Sequence, residues 1–292
     1  MRALAFRNEF TAAVIRCWPA ITLSLAALVL YMPIYADFYQ GAWRRDENSH
    51  AIIVMAIAIG AAGVRLSTER FDQRPTHVQT FAGCLLLFAG VAMAIAGRLG
   101  EADLLSSASQ ALVAGGASLA ILGVQGVKRL WFPLAMTFYL IVWPGWALDA
   151  LTGPLKNFVS RIVSDGLYAV GLPVAHSGAV ISAGPYQLLV ADACSGLNSL
   201  IALTAVGAVY LYAVRHGDWR VNAGVLAALI PIAIIANVMR VAALVLITYF
   251  LGYDAGQGFM HDGAGLMMFA IALGLVFAVD ASAIALAQRR AK

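Results

Sequence analysis

Eight apolar runs, most of them close to 20 residues long, constrain this chain more than any other feature of its sequence. A run of that length is what an α-helix needs to cross the hydrocarbon core of a bilayer. Hydrophobic residues make up 62% of the chain and charged residues only 12%, whereas soluble domains carry about 25% charged residues. The runs cover roughly residues 14–36, 50–64, 78–97, 108–127, 130–148, 195–214, 221–238 and 263–287.

These runs predict an all-α membrane protein, a bundle of about eight transmembrane helices. No repeat or linker divides the sequence, so residues 1–292 are predicted to form a single integral membrane domain. One segment is ambiguous. Residues 241–251 are apolar but too short to cross a membrane alone, so they either extend the seventh helix or fold back as a re-entrant piece.

The basic residues predict the orientation, because cytoplasmic loops of membrane proteins are enriched in Lys and Arg. With eight spans both termini share one side, and that side is predicted to be cytoplasmic. The formal net charge of +4 is weak and scattered, so no nucleic-acid partner is expected, and lipid is the expected surrounding. The predicted cytoplasmic loops hold Arg2, Arg7, Arg16, Arg65, Arg70, Arg74, Lys128, Arg129, Arg215, Arg220, Arg289, Arg290 and Lys292.

Residues 149–193 form the longest stretch without a span, and the orientation places them on the outer side. Their first half repeats apolar residues at helical intervals, which predicts an amphipathic helix at the outer face. Their second half, residues 180–190, has a Gly-Pro turn between β-branched and apolar residues, which predicts a small hairpin. The apolar stripe of the helix is Leu155, Phe158, Val159 and Ile162.

Polar residues gather at the predicted outer ends of the last three spans. Cys194 stands at the entry to the sixth, between Asp192 and the pair Ser195-Gly196. Asn237 and Arg240 are three residues apart near the outer end of the seventh, so they share one helix face. His261 precedes the eighth. We therefore expect a thiol, an imidazole and a guanidinium at one membrane depth.

Such a set of groups permits acyl transfer. A nearby imidazole converts a thiol to the thiolate that attacks an amide carbonyl, and a guanidinium or amide stabilises the oxyanion that forms. Each residue also has a plainer interpretation. Cys194 packs, Arg240 snorkels to the interface, His261 is solvated, and Asp192 caps a helix.

Other histidines lack a chemical context of this kind. His50, at the start of the second span, has a packing or surface role as its simpler interpretation. His176 has no acid or thiol at metal-ligand spacing. The sequence contains no zinc motif and no Gly-rich phosphate loop, so no metal or organic cofactor is expected.

Three motifs in order resemble those of the exosortases and archaeosortases, multi-span membrane cysteine transpeptidases. They are Ala193-Cys194-Ser195-Gly196, Asn237-Val238-Met239-Arg240 and His261-Asp262-Gly263-Ala264-Gly265. Trp43 with Asn48-Ser49-His50 is also similar to the first outer loop of that family. The resemblance covers most of the chain and is strongest from about residue 150 to residue 275.

The resemblance implies a catalytic triad of Cys194, Arg240 and His261, accompanied by Asn237, with Ser195 and Asp192 in supporting positions. It also implies substrate proteins with a C-terminal sorting signal: a short motif (Pro-Glu-Pro in bacteria), one transmembrane helix and a basic tail. The enzyme would cut near the motif at the outer, periplasmic face of the bacterial inner membrane. A thioester on Cys194 would then pass to an acceptor nucleophile that the sequence does not identify.

Two alternatives belong to other classes of protein. A transporter would use Arg240 and Asn237 to line a pathway, but it would show repeated halves with broken helices, and the sequence has no such repeat. A structural subunit of an exopolysaccharide export system would leave Cys194 incidental.

Overall fold

The computed structural model describes residues 22–44, 48, 50–69, 71, 74–189, 196–214, 219–257 and 259–290. The chain divides into two compact units, Met1–Pro144 and Gly145–Lys292, which are described in turn. The first unit contains α1 (Thr22–Gln40), a 3-10 turn (Ala42–Arg44), α2 (Ala51–Thr68), α3 (His77–Leu99), α4 (Asp103–Arg129), α5 (Trp131–Met136) and a 3-10 turn (Thr137–Leu140).

Helices α3 and α4 form an antiparallel pair in close contact, because small residues line their interface. A Cβ atom added to Gly83 would lie 2.5 Å from the backbone of Ala120, and one added to Gly97 would lie 2.5 Å from that of Ser106. Small residues allow helix backbones to approach closely within lipid. Helix α1 is joined to α4 by hydrogen bonds, since the Tyr31 and Ser109 hydroxyls lie 2.8 Å apart.

The fifth predicted span, 130–148, is wrong as a continuous helix. Helix α5 and its 3-10 turn end at Leu140, and residues 141–144 contain no helix. The break has a local cause, because Pro144 has no N–H and disfavours helical geometry at Trp143. Side chains form hydrogen bonds with backbone groups next to this break. The Ser107 hydroxyl accepts from Val142 N at 2.9 Å, and His50 Nε2 donates to the Tyr139 carbonyl at 3.1 Å.

The second unit begins with α6 and a small sheet, which pack together against one helix of the bundle. Helix α6 spans Gly145–Ala169, and the antiparallel sheet has the order β1 (Val174–Ser177), β2 (Val180–Ala183), β3 (Tyr186–Leu189). The predicted hairpin is confirmed as β2–β3, and β1 adds a third strand. Gly178 and Gly184 take positive φ angles of 59° and 57° in the two turns, a conformation that glycine adopts without strain.

The predicted helix is confirmed as α6, but its buried face differs from the predicted apolar stripe. Val159 is fully buried, whereas Phe158 and Ile162 are exposed. The buried face is completed by Thr152, Ser160, Val163 and Ser164.

The rest of the second unit contains α7 (Gly196–Val214), α8 (Trp219–Leu251), α9 (Tyr253–Gln257) and α10 (Phe259–Arg290). Helix α8 continues through residues 241–251, which decides between the two alternatives for that segment. Its 33 residues correspond to a length of about 50 Å, more than the roughly 30 Å of a hydrocarbon core.

Two hydrophobic clusters divide α8 along its length. The bundle cluster contains the part of α8 before Asn237 together with residues of α7 and α10. Its members are Leu203, Val221, Val225, Leu229, Ile232, Ala233, Ala236, Ala272 and Val276. The cap cluster includes the segment after Arg240 and consists of Val159, Val163, Val174, Ile181, Ala183, Leu188, Val241 and Val245. Part of the segment 241–251 is thus covered by α6 and the sheet, whereas Phe250 and Leu251 at its end are exposed.

Among the described residues, five helices are long and apolar enough to cross a membrane, and six if the helices on either side of residues 141–144 count as one span. The predicted all-α membrane fold is confirmed, whereas the count of eight spans is not. The spans predicted at 195–214 and 263–287 correspond to α7 and α10. Their described apolar stretches, Leu203–Val214 and Ala270–Ala285, are shorter than the others.

Candidate active site

Asn237 and Arg240 lie at the junction between the bundle cluster and the cap cluster. Ala236 belongs to the first cluster and Val241 to the second. Asn237 is buried and Arg240 is half-buried. These two polar side chains thus lie where the bundle ends and the cap, formed by α6 and the sheet, begins. Polar side chains are costly in such an apolar setting, so this position favours a functional site.

The first residue of α7 lies at the level of Arg240. A Cβ atom on Gly207 would be 2.6 Å from a Leu229 methyl group, so these two residues are in contact. The helices run antiparallel, and Gly196 and Arg240 each lie eleven residues from this contact in the same direction. At 1.5 Å per residue both lie about 16 Å beyond it. Cys194 is two residues before Gly196.

The beginning of α10 lies at a similar level. The rings of Tyr210 and Phe277 are 5.0 Å apart, and the Tyr210 hydroxyl donates to Asp280 Oδ2 at 2.6 Å. Helices α7 and α10 are parallel, and the N-terminal ends of both lie on the cap side of this contact. Gly196 and Gly263 are each fourteen residues away, about 21 Å along their helices. In the sequence, His261 comes two residues before Gly263, as Cys194 comes two residues before Gly196.

The structure describes the predicted site residues to different extents. Asp192, Cys194 and Ser195 lie outside the described residues, and for His261 only the backbone is described. His261 precedes the apolar stretch Ala270–Ala285 of the last helix, although α10 itself already begins at Phe259.

The other two histidines considered from the sequence belong to other elements of the structure. His50 is half-buried and bonds to the Tyr139 carbonyl, and burial lowers the pKa of His50 below its usual value. His176 is exposed on β1. Within the described residues no group of three His, Cys, Asp or Glu side chains is arranged to hold a metal ion.

Sequence reasoning missed the hydrogen bond between Tyr210 and the buried Asp280. An aspartate within a predicted span was a usable signal, because ionisable residues in spans are rare and usually functional. Its partner was not predictable, since 70 residues separate the two side chains.

The fold and the residues at the junction define a class: a polytopic membrane protein with a small α/β cap above a site containing Asn237 and Arg240. The model of the transmembrane exosortase family matches residues 43–278. The chain therefore belongs to the transmembrane exosortase family, and this membership supports a general role as a membrane transpeptidase in protein sorting. No curated protein and no solved structure matches the chain significantly.

Proposed function

We propose that this protein is a cysteine transpeptidase that cleaves C-terminal sorting signals at the periplasmic face of the bacterial inner membrane. The observation that carries the proposal is the common level of Gly196, Arg240 and Gly263 at the junction below the cap. Arg240 is one of the three predicted catalytic residues, and the other two, Cys194 and His261, each come two residues before one of these glycines in the sequence.

In the proposed reaction the Cys194 thiolate attacks the scissile carbonyl carbon after His261 takes the thiol proton. Arg240 and Asn237 stabilise the oxyanion of the tetrahedral intermediate. His261 then gives its proton to the leaving amine as the C–N bond breaks, and a thioester remains on Cys194. Water or an acceptor nucleophile attacks that thioester and releases the substrate. No step requires a metal or an organic cofactor.

The position of α8 supports the assignment of Arg240 to the reaction. A snorkelling arginine belongs near the end of a helix, where its side chain reaches water. Arg240 has eleven further residues of α8 beyond it, and Val241 and Val245 within that segment are buried in the cap cluster.

Co-expression with a candidate substrate tests the function. The substrate carries a sorting motif, one transmembrane helix and a basic tail, and loss of the tail is followed by mass spectrometry. We expect processing by wild type and by Cys84→Ser, whose exposed thiol on α3 is the matched control. Processing by Cys194→Ser would refute the nucleophile. An uncleaved substrate across a panel of signals would favour a transporter or a structural subunit.

A further inference from the structure

The bundle contains a partly buried polar contact that the proposed reaction does not use. Tyr210 on α7 donates a 2.6 Å hydrogen bond to Asp280 on α10, and Asp280 is only 3% exposed. The Tyr210 ring also lies 5.0 Å from that of Phe277. Asp280 belongs to the apolar stretch Ala270–Ala285, where an ionisable side chain is costly.

A directional hydrogen bond at this position can fix the axial register of the two helices. Helices in lipid gain no hydrophobic energy from association, so packing and hydrogen bonds between them set their register. The surrounding bundle cluster joins the helices through aliphatic side chains such as Leu203, Ala272 and Val276. Such surfaces fit at several axial offsets, whereas a hydroxyl reaches a carboxylate at one offset only.

We propose that the Tyr210–Asp280 hydrogen bond is a register lock that sets the height of α7 relative to α10. This inference rests on the proposed function, because the lock acts by placing Cys194 opposite His261. Sixteen residues separate Tyr210 from Cys194, and sixteen separate Phe277 from His261. A slip of either helix changes the distance between the two catalytic groups, so Tyr210 and Asp280 are positioning residues.

A distance measurement tests the lock without requiring activity. Spin labels are placed at Val214→Cys and Ala285→Cys, both exposed, in a protein with Cys17, Cys84 and Cys194 changed to serine. We expect one narrow distance distribution, kept in Asp280→Asn because the amide oxygen still accepts the hydrogen bond. Tyr210→Phe and Asp280→Leu should add a second distance. Unchanged distributions in both variants would overturn the lock.

The reactivity of Cys194 tests the catalytic consequence. In a background without Cys17 and Cys84, the pH midpoint of Cys194 alkylation should move up towards the usual thiol value of about 8.5 in Tyr210→Phe and Asp280→Leu. Turnover at saturating substrate should fall by about tenfold or more, with KM unchanged. Asp280→Asn and the exposed control Tyr168→Phe should match wild type.

The outcomes separate the lock from the function on which it rests. A merely structural role would lower the yield of folded protein but would leave the alkylation midpoint of the remaining molecules unchanged. A wild-type protein with no processing and an ordinary thiol would refute the proposed function, while the label distances would still decide the lock. Wild-type midpoint and turnover in Tyr210→Phe would overturn the positioning role.

Discussion

Gly207 lies directly against the Leu229 side chain, so that no side chain of α7 separates the two helices at this point. Because both helices are continuous from this contact to the cap, it sets the level that each helix reaches at the upper end. Gly196 and Arg240 are each eleven residues away. A contact between two apolar residues in the bundle thus determines the level of the candidate catalytic arginine relative to the helix that follows Cys194.

A larger residue at this contact should destabilise the bundle. A Cβ on Gly207 would already lie 2.6 Å from Leu229, so Gly207→Leu should lower the free energy of unfolding by about 1–3 kcal/mol through overpacking. Thermal unfolding in detergent measures the change. Gly224→Leu is the matched control, because nothing lies within 4 Å of a Cβ at that position on α8. Equal stability of the two variants would contradict the close contact.

Replacement of Arg240 by lysine should impair catalysis more than folding. Lysine keeps the positive charge but loses the planar set of donors that an oxyanion or carboxylate engages. Turnover of a sorting-signal substrate should fall by about 10²–10³-fold, with the protein still inserted in membranes. Arg161→Lys on the exposed face of α6 is the control. Full activity of Arg240→Lys would assign Arg240 a purely interfacial role.

The cap should depend on its apolar core and not on its histidine. Ile181 on β2 is fully buried, and His176, its partner across the β1–β2 ladder, is exposed. Ile181→Ala should lower the free energy of unfolding by about 2–5 kcal/mol, while His176→Ala should change it by less than about 0.5 kcal/mol. Proteolysis of the cap in membranes reports both. A larger effect from His176 would point to a role that its exposure does not explain.

His50 should make the stability of the protein depend on pH. Burial lowers the pKa of His50 in the folded protein below its usual value of 6.5, so the unfolded chain takes up this proton more readily. The contribution of neutral His50 to the free energy of unfolding is therefore fully present above about pH 6.5 and decreases as the pH falls below that value. His50→Gln should flatten this part of the unfolding profile between pH 7.5 and 5. A profile identical to that of wild type would show that another group is responsible.

Sequence patterns predicted the elements whose signals are local. The Gly184-Pro185 turn between apolar residues indicated the β2–β3 hairpin, and helical spacing through Val159 indicated α6. The hydrophobic pattern was insufficient where burial under the cap and exposure to lipid both require apolar residues. Within residues 241–251 the cap covers Val241 and Val245, and a lipid-facing segment would have the same apolar composition.

Contacts distant in sequence were beyond prediction for a related reason. The hydrogen bond of Tyr210 to Asp280 and the contact of Gly207 with Leu229 depend on the register of whole helices. In a sequence this apolar, many offsets between two helices bury similar side chains. The chemistry of Cys194, Arg240 and His261 could be proposed from residue types, but the common level of their helices required the register.

Chemical cross-linking tests most directly whether Cys194 lies close to the position of His261. In a protein with Cys17 and Cys84 changed to serine, His261→Cys is treated in membranes with the shortest bifunctional thiol reagents, and the cross-link is detected by mass spectrometry after proteolysis. We expect an efficient link to Cys194, and none when the second thiol is Val214→Cys at the far end of α7, about 27 Å from Gly196. A link to position 214 but not to position 261 would refute the proposed proximity of Cys194 and His261.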